Sequence, residues 1–418
     1  MKDRNENRPG YKKTKVGWIP EEWQSGRFSD IAYVMMGQSP DGKSYNKNRY
    51  GVPLINGPSE FTKRYPARKQ WTTKPTKICK SEDILLCVRG SSTGRINIAN
   101  DTYCIGRGIA AIREKESISC YLFIEHTLYA IKNRIVRYSS GSTFPNIDRK
   151  TLLNIPIAIP PLPKQKKIAD ILSAWDEAIE QMRKLIDAKK RRKKALMQQL
   201  LTGKRRLRGF EKTKDQKRYR FFDLPEDWEC PQMKEIAQEC SERNILRGDL
   251  PVLACSKYLG FVESSEYFGK RVFSEDTSNY KLIRRGWFGF PSNHIEEGSI
   301  GLLLNRDIGL VSPIYIVFKC DESVIPEYLY AVFKTDTFKH IFKVSTNASV
   351  DRRGSLRWRE FALIYVPKPS REEQQAIVDI LQSADEEIDK HEMKLNALEK
   401  QKCGLMQKLL TGEVRVKL

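Results

Sequence analysis

The chain writes one ending twice. LMQQLLTGKRR (196–206) closes one long helical pattern and LMQKLLTGEVR (405–415) closes another, with Gly203 and Gly412 in matching places. Their separation, 412 − 203 = 209, also lays Asp170-Ile171-Leu172 on Asp379-Ile380-Leu381, Asp176-Glu177 on Asp385-Glu386, Ile179 on Ile388 and Gln165 on Gln374. A second echo lies at an offset of 205, Pro20-Glu21-Glu22-Trp23 and Ile31-Ala32 against Pro225-Glu226-Asp227-Trp228 and Ile236-Ala237. Solenoid repeats run about 20–50 residues, so this longer period marks a duplicated unit of one globular domain followed by one long helix. Whatever the first half builds, the second must build again.

The helices carry a second constraint. Each starts after prolines (Pro160, Pro161 and Pro163; Pro367 and Pro369), Ser370 with Glu373 has capping-box spacing, and each ends in Thr-Gly, which suits a left-handed C-terminal cap. Between these signals apolar residues alternate at steps of four and three. The first series is Ile168, Leu172, Trp175, Ile179, Met182, Ile186, Leu196 and Leu200; the second is Ile377, Leu381, Ile388, Leu395, Leu398, Leu405 and Leu409, with Ala384 and His391 in register. This is a 3.5-residue seam, interrupted at the same register by Lys193 and Lys402. Two duplicated helices pair most simply about a pseudo-twofold axis, hence as an antiparallel coiled coil of roughly 50–60 Å that acts as a spacer.

The expected organisation is a polar tail (1–15), a domain (16–158), a spacer helix (159–203), an exposed basic linker (204–220), a second domain (221–367) and a second spacer helix (368–418). Both domains mix short β-rich runs (83–88; 314–318) with amphipathic helical stretches (121–135; 327–339), an α+β or mixed α/β class.

Lys and Arg total 74 against 52 acids, a net charge of +22, which points to a polyanion and first of all to nucleic acid. Candidate contacts sit in turn-rich stretches, where glycine lets the backbone approach phosphate, hydroxyls donate, and arginine can bond a guanine edge with both arms. In the first domain these are Arg89, Ser91, Ser92, Thr93 and Arg95, then Ser142, Thr143 and Arg149 beside Phe144. In the second they are Ser292, Asn293 and Arg306, then Arg352, Arg353 and Arg357 beside Trp358. The linker is a further basic candidate. Because the domains diverge over most of their length, they should read different sequences, so the site should be split and asymmetric.

Catalytic signatures are missing. Nine scattered cysteines form no C-x-x-C pair and read as reduced, mostly buried thiols, while His126, His294, His340 and His391 are too dispersed for a metal centre. Residues 105–111 fit G-x-G-x-x-A but are read as lacking the strand, helix and acid of a dinucleotide fold, and no Walker A loop, H-E-x-x-H or Asn/Asp-Pro-Pro-aromatic tetrapeptide occurs. Residues 1–15 lack the apolar core of a signal peptide and no apolar run approaches the roughly 18 residues of a membrane span, so a cytoplasmic protein is expected.

The features YKKTKVGWIPEEW (11–23), DILLCVRGSSTGRI (83–96), IPIAIPPLPKQKKIADIL (155–172), EEGSIG with GLVSPIYIVF (296–318), LLTGKRR and LLTGEVR resemble the specificity subunit of type I restriction–modification systems over nearly the whole chain. A departure is Lys164, where the family commonly has Glu; the second copy keeps Glu373. The resemblance implies two target recognition domains, each reading half of a bipartite site in double-stranded DNA, and two helices forming an antiparallel coiled coil. It implies assembly with two modification (methyltransferase) subunits and two restriction (translocase/nuclease) subunits, with S-adenosylmethionine, ATP and magnesium on those partners and none here. The candidate surface for the modification subunits is the basic face at 189–194 and the helix ends. The rivals are a specificity subunit of another restriction class, a free-standing DNA-binding regulator, and an enzyme with a cryptic site.

Overall fold

In the computed structural model the described residues are 5–139, 145–213, 215–245, 249–257, 259–293, 295–346 and 355–418. They form two compact units, Met1–Lys184 with Met393–Leu418, and Leu185–Glu392. Each unit therefore takes one domain, the start of the helix that follows it and the end of the other helix.

In the first unit a four-stranded sheet is built from β1 (Ala32–Met36), β2 (Ile84–Cys87), β3 (Ile96–Ile98) and β4 (Ile109–Glu114) in the order β3-β2-β4-β1. Helix α1 (Tyr121–Ser139) packs on it, and the spacer helix α2 (Leu162–Leu200) leads out of the domain. The second unit repeats the plan with β5 (Ala237–Cys240), β6 (Phe288–Pro291), β7 (Gly301–Leu302) and β8 (Tyr315–Cys320) in the order β7-β6-β8-β5. It then adds α3 (Pro326–Phe333), α4 (Asp336–Ser345) and the second spacer α5 (Arg371–Leu410). The helical stretch expected over 327–339 is broken, because the Thr335 hydroxyl accepts from Phe338 N and starts a new helix.

The domains diverge in the small sheets inserted between the strands of the main sheet. The first carries a small five-stranded sheet there that includes Val52–Ile55 and Tyr103–Ile105; the second carries two separate pairs, Leu253–Ser256 with Gly260–Glu263 and Lys281–Arg284 with Ile308–Val311. A strand does precede the G-x-G-x-x-A run, but β4 follows it instead of a helix. Its Gly106 is needed for close packing, since a Cβ there would lie 2.3 Å from Asn56 Oδ1.

A buried glutamine locks each spacer helix to its domain. Gln165 Oε1 accepts from Cys120 N at 3.3 Å and its amide donates to the carbonyls of Ile118 and Pro160. Gln374 Oε1 accepts from Ile325 N at 2.8 Å and its amide donates to Ser323 and Pro369. The same three backbone groups at the root of the helix are satisfied in both copies.

The repeated ending docks on the repeated P-E/D-W element. Gly412 has φ +72° and a Cβ there would lie 2.4 Å from Pro20 Cδ, beside Trp23; Gly203 has φ +67° and a Cβ there would lie 2.4 Å from Pro225 Cδ, beside Trp228. Only glycine suits both that backbone and that contact. Residues 5–14 complete the first clamp instead of trailing as a tail. Tyr11–Thr14 pairs with Gly17–Pro20, and Asn5, Arg8 and Tyr11 donate to the carbonyls of Thr411, Glu413 and Gly412. Residues 204–220 are likewise not simply an exposed linker. Gln216–Arg218 pairs with Asp223–Pro225, and the Arg206 side chain is 5% exposed, held by Asp227 at 2.7 Å and Glu373 at 2.7 Å. Glu373, which also accepts from Trp228 Nε1, is drawn away from the capping-box return, so only Glu373 N to Ser370 Oγ forms.

Every seam residue is buried or half-buried. The segments run antiparallel in each unit. Asp176 pairs with Lys402 and Arg183 with Glu399 in the first, while Lys189 pairs with Glu387 and Lys193 with Asp385 in the second. Lys193 and Lys402, the breaks in the apolar pattern, are thus answered by aspartates. No helix of the described residues is long and apolar enough to cross a membrane.

Candidate nucleic-acid interface

In each domain the turn after the second sheet strand is tied to the segment that precedes the spacer helix, more than 50 residues later. Ile147 N donates to Val88 O at 3.0 Å and Gly90 N to Pro145 O at 2.8 Å in the first domain; Leu356 N donates to Ser292 O at 2.8 Å in the second. The sequence singled out these two stretches separately, and the fold joins them.

The first turn closes through Cys87 N to Arg95 O and Gly94 N to Cys87 O, with Gly90 and Gly94 at positive φ. That geometry leaves Arg89, Ser91 and Arg95 exposed and Ser92 half-buried. Thr93 does not face outward. It is 6% exposed, with its hydroxyl donating to Gly90 O at 2.7 Å, so it shapes the turn. Arg149 opens a short helix, Arg149–Leu153, and its Nε donates to Val34 O at 2.9 Å, which anchors the segment to β1.

In the second domain Ser292, Arg357, Trp358 and Arg359 line one shallow depression of about 470 Å³ together with Ile314. Trp358 packs 5.6 Å from Phe318 and 5.8 Å from Phe361, so the ring is held by the core while it lines the depression. Asn293 has a buried Oδ1 with no protein partner. Arg306 stands apart as a half-buried cation already neutralised by Glu263 at 3.0 Å. Ser142, Thr143, Phe144, Arg352 and Arg353 lie outside the described residues.

Two cations join the site that sequence reasoning left out. Arg107 is exposed in a turn whose Gly108 carbonyl accepts from Val88 N, next to the Arg89 turn. Its Gly-Arg-Gly context resembles part of a dinucleotide motif in sequence and forms a turn beside the Arg89 loop in the fold. Arg359 is exposed at the same depression as Arg357, and the spacing Arg-Trp-Arg was the available signal.

The basic run at 189–194 is largely committed. Lys189, Lys190, Lys193 and Lys194 pair with Glu387, Glu392, Asp385 and Asp336. Arg191 and Arg192 are exposed there. Among the described residues no group of three or more His, Cys, Asp or Glu could hold a metal. All nine cysteines are free, and burial pushes the thiols of Cys79, Cys230, Cys255 and Cys320 up to about 12, far from nucleophilic readiness at neutral pH.

The chain matches the family described as the type I restriction modification DNA specificity domain twice, over residues 20–189 and 225–400. It is 26% identical to the type I restriction enzyme MjaVIII specificity subunit of Methanocaldococcus jannaschii over 96% of this chain and 94% of that protein. It is 40% identical to the MjaX specificity subunit of the same organism over 47% of each chain, so that match spans about half of either. Among solved structures, a chain from the type I R-M system aligns with TM-score 0.62 at 16% identity, covering 95% of this chain and 99% of that one. The S subunit from M. genitalium aligns with TM-score 0.53 at 17% identity, covering 93% and 96%. These structural likenesses bear on the fold.

Proposed function

The chain belongs to the type I restriction modification DNA specificity family, and from that premise we propose that it reads a bipartite, asymmetric site in double-stranded DNA, one half with each domain. In this reading Arg89, Arg95 and Arg107 with Ser91 and Ser92 address one half, and Arg357 and Arg359 with Ser292 address the other. The chain is non-catalytic and works in the cytoplasm. It directs adenine methylation by two modification subunits and ATP-dependent cleavage by two restriction subunits, with S-adenosylmethionine, ATP and magnesium held by those partners. The spacer helices set the distance between the half-sites, and two heads on one face of the duplex favour centres about one helical turn, roughly 10 bp, apart.

The observation that carries the reading is the repeated junction, Ile147 N to Val88 O and Leu356 N to Ser292 O, which gathers exposed arginine beside serine at one place in each of two otherwise divergent domains. The test is single-molecule sequencing of adenine methylation in a host expressing the full chain with its modification subunit. The comparison is with R89A/R95A and R357A/R359A. A split asymmetric motif is expected, each variant relaxing one half only. A soluble complex that leaves no methylated motif would overturn it.

A further inference from the structure

The paired helices carry two kinds of ion pair, and the duplication tells them apart. Under the 209-residue shift Asp176 falls on Asp385 and Lys193 on Lys402, so both copies keep the same polarity at these positions. The pairs Asp176 with Lys402 and Lys193 with Asp385 would form equally well between two copies of α2, or two of α5, laid antiparallel in this register. The other kind inverts. Arg183 falls on Glu392 and Lys190 on Glu399. Arg183 meets Glu399 at 2.5 Å within the first unit, and Lys190 meets Glu392 at 2.6 Å within the second.

Against a like helix these positions turn hostile. Two α2 helices in this register would set Arg183 against Lys190 twice, and two α5 helices would set Glu392 against Glu399 twice. The bias extends along the helices, since α2 carries 11 Lys or Arg and 5 Asp or Glu, whereas α5 carries 6 and 9. One half-exposed pair contributes little by itself. Flanking charges on paired helices nevertheless select partners, because the wrong pairing is repelled as well as the right one favoured.

We propose that Arg183, Lys190, Glu392 and Glu399 form a pairing code by which α2 accepts an acidic helix of the α5 kind and refuses a second α2, and α5 refuses a second α5. The partner it admits is the other copy in the same chain. The partner it excludes is a like helix from a second copy of this chain or from a shortened chain with one domain and one helix. The consequence for recognition, that the site stays asymmetric, rests on the proposed function; the code itself does not.

The test uses full-length chains expressed without other subunits. R183E/K190E makes both helices acidic at these positions, E392K/E399R makes both basic, and the fourfold variant reverses all four. Each twofold variant is expected to unfold at lower urea than wild type at low salt, the fourfold variant to recover, and the difference to shrink at high salt. Tagged R183E/K190E co-expressed with untagged E392K/E399R should co-purify it at least about ten-fold more than tagged wild type co-purifies untagged wild type, because exchanged helices satisfy every pair. Tagged R183E/K190E with untagged R183E/K190E should stay at the wild-type level. Unchanged urea midpoints, no recovery in the fourfold variant, or co-purification at the wild-type level would each overturn the code. Methylation plays no part in these readouts, so their failure leaves the DNA-reading proposal standing.

Discussion

The two units close their helix ends on the same clamp but with the charges exchanged. In the first, Glu22 sits between two cations, Lys164 at 2.6 Å and Arg415; in the second, Arg206 sits between two anions, Asp227 and Glu373. The glycines, the prolines and tryptophans they touch, the locking glutamines and the sheet order are shared, while the small sheets inserted between the main-sheet strands are not. What is kept is the need to bury a helix end on a domain root. What is free is the choice of ion that closes the clamp, and still more the surface that the clamp does not touch. Burial also differs, since Arg206 is 5% exposed and Lys164 and Glu22 are 18% and 32% exposed. The two clamps should therefore respond differently to the same exchange.

The largest effect is expected where burial is deepest. E373K removes both carboxylate contacts to Arg206 and sets a second cation beside it, and breaking such a buried pair costs about 3–5 kcal/mol. Urea unfolding and amide exchange should show the loss within 221–367 and leave 16–158 protected. A uniform loss would mean that the clamp is not local. The glutamine locks predict the opposite pattern, equality. Q165A and Q374A each strand three backbone groups, at about 2–4 kcal/mol. Unequal losses by urea titration would show that the second copy does not rest on its lock as the first does.

Acid should separate the units next. His126 is 1% exposed with neither ring nitrogen bonded to protein, and burial lowers it to about 4, with Lys402 and Arg64 acting the same way and Asp176 against them. Counting from Cys120 and Ile325, the backbone donors to the two locks, the second unit has Ala331 at this place. A ring depressed on folding is protonated first in the unfolded chain, near its ordinary value of about 6.5, so stability is lost as pH falls from there to about 4, by up to about 3 kcal/mol. Burial raises the neighbouring Glu125 carboxyl, which takes up its proton early in the folded state and offsets part of the loss. Exchange protection in 16–158 should fall more steeply over that window than in 221–367, and H126A should flatten the slope. Parallel slopes would remove the contrast. A smaller separation is expected at the proposed DNA surface. R89A should weaken binding to one half-site and R357A to the other, each by about 1–3 kcal/mol for a lost base contact, measured by titrating duplexes with one half-site scrambled. Equal sensitivity of both halves to either variant would show that these arginines only hold phosphate.

Much of the scaffold was legible because it is local and repeated. Thr-Gly endings placed the helix stops, the four-three steps placed the seam, and the echo at Trp23 and Trp228 marked the domain starts. Arg206 and Glu373 were misread because their partners are distant in sequence. Arg206 reaches Glu373 across 167 residues, and nothing in the spacing of KRRLRGF distinguishes that buried cation from its solvated neighbours. Thr93 looked like a donor because its neighbours are exposed, whereas closure of the turn between Gly90 and Gly94 draws its hydroxyl inward. Arg107 was hidden by a glycine pattern that serves strand packing. The two stretches of each DNA surface were visible separately, and only the long-range hydrogen bonds bring them together.

The smallest expected effect tests the clamp comparison most sharply. K164E rewrites the first clamp in the second one's letters, leaving Arg415 between Glu22 and a new glutamate as Arg206 lies between Asp227 and Glu373. Partial burial alone would push Glu22 up, but the Lys164 hydrogen bond and Arg415 outweigh it and hold its carboxyl below the usual range. Losing Lys164 removes part of that hold, and Arg415 supplies a fork that two carboxylates can share. The site is partly solvated, so the change should cost less than about 1 kcal/mol, as exposed pairs do. The acid-stability profile should move with it. Glu22, less depressed, would contribute less, and its loss on acidification, which begins near the unfolded carboxylate value in both proteins, would be smaller and complete at a higher pH than in wild type. A cost as large as that of E373K would show that Lys164 is buried in effect and that the first clamp tolerates no other charge pattern. A negligible cost with the shifted acid limb would show that both clamps obey one rule, an ion held between two of opposite sign, with burial alone deciding how much each is worth.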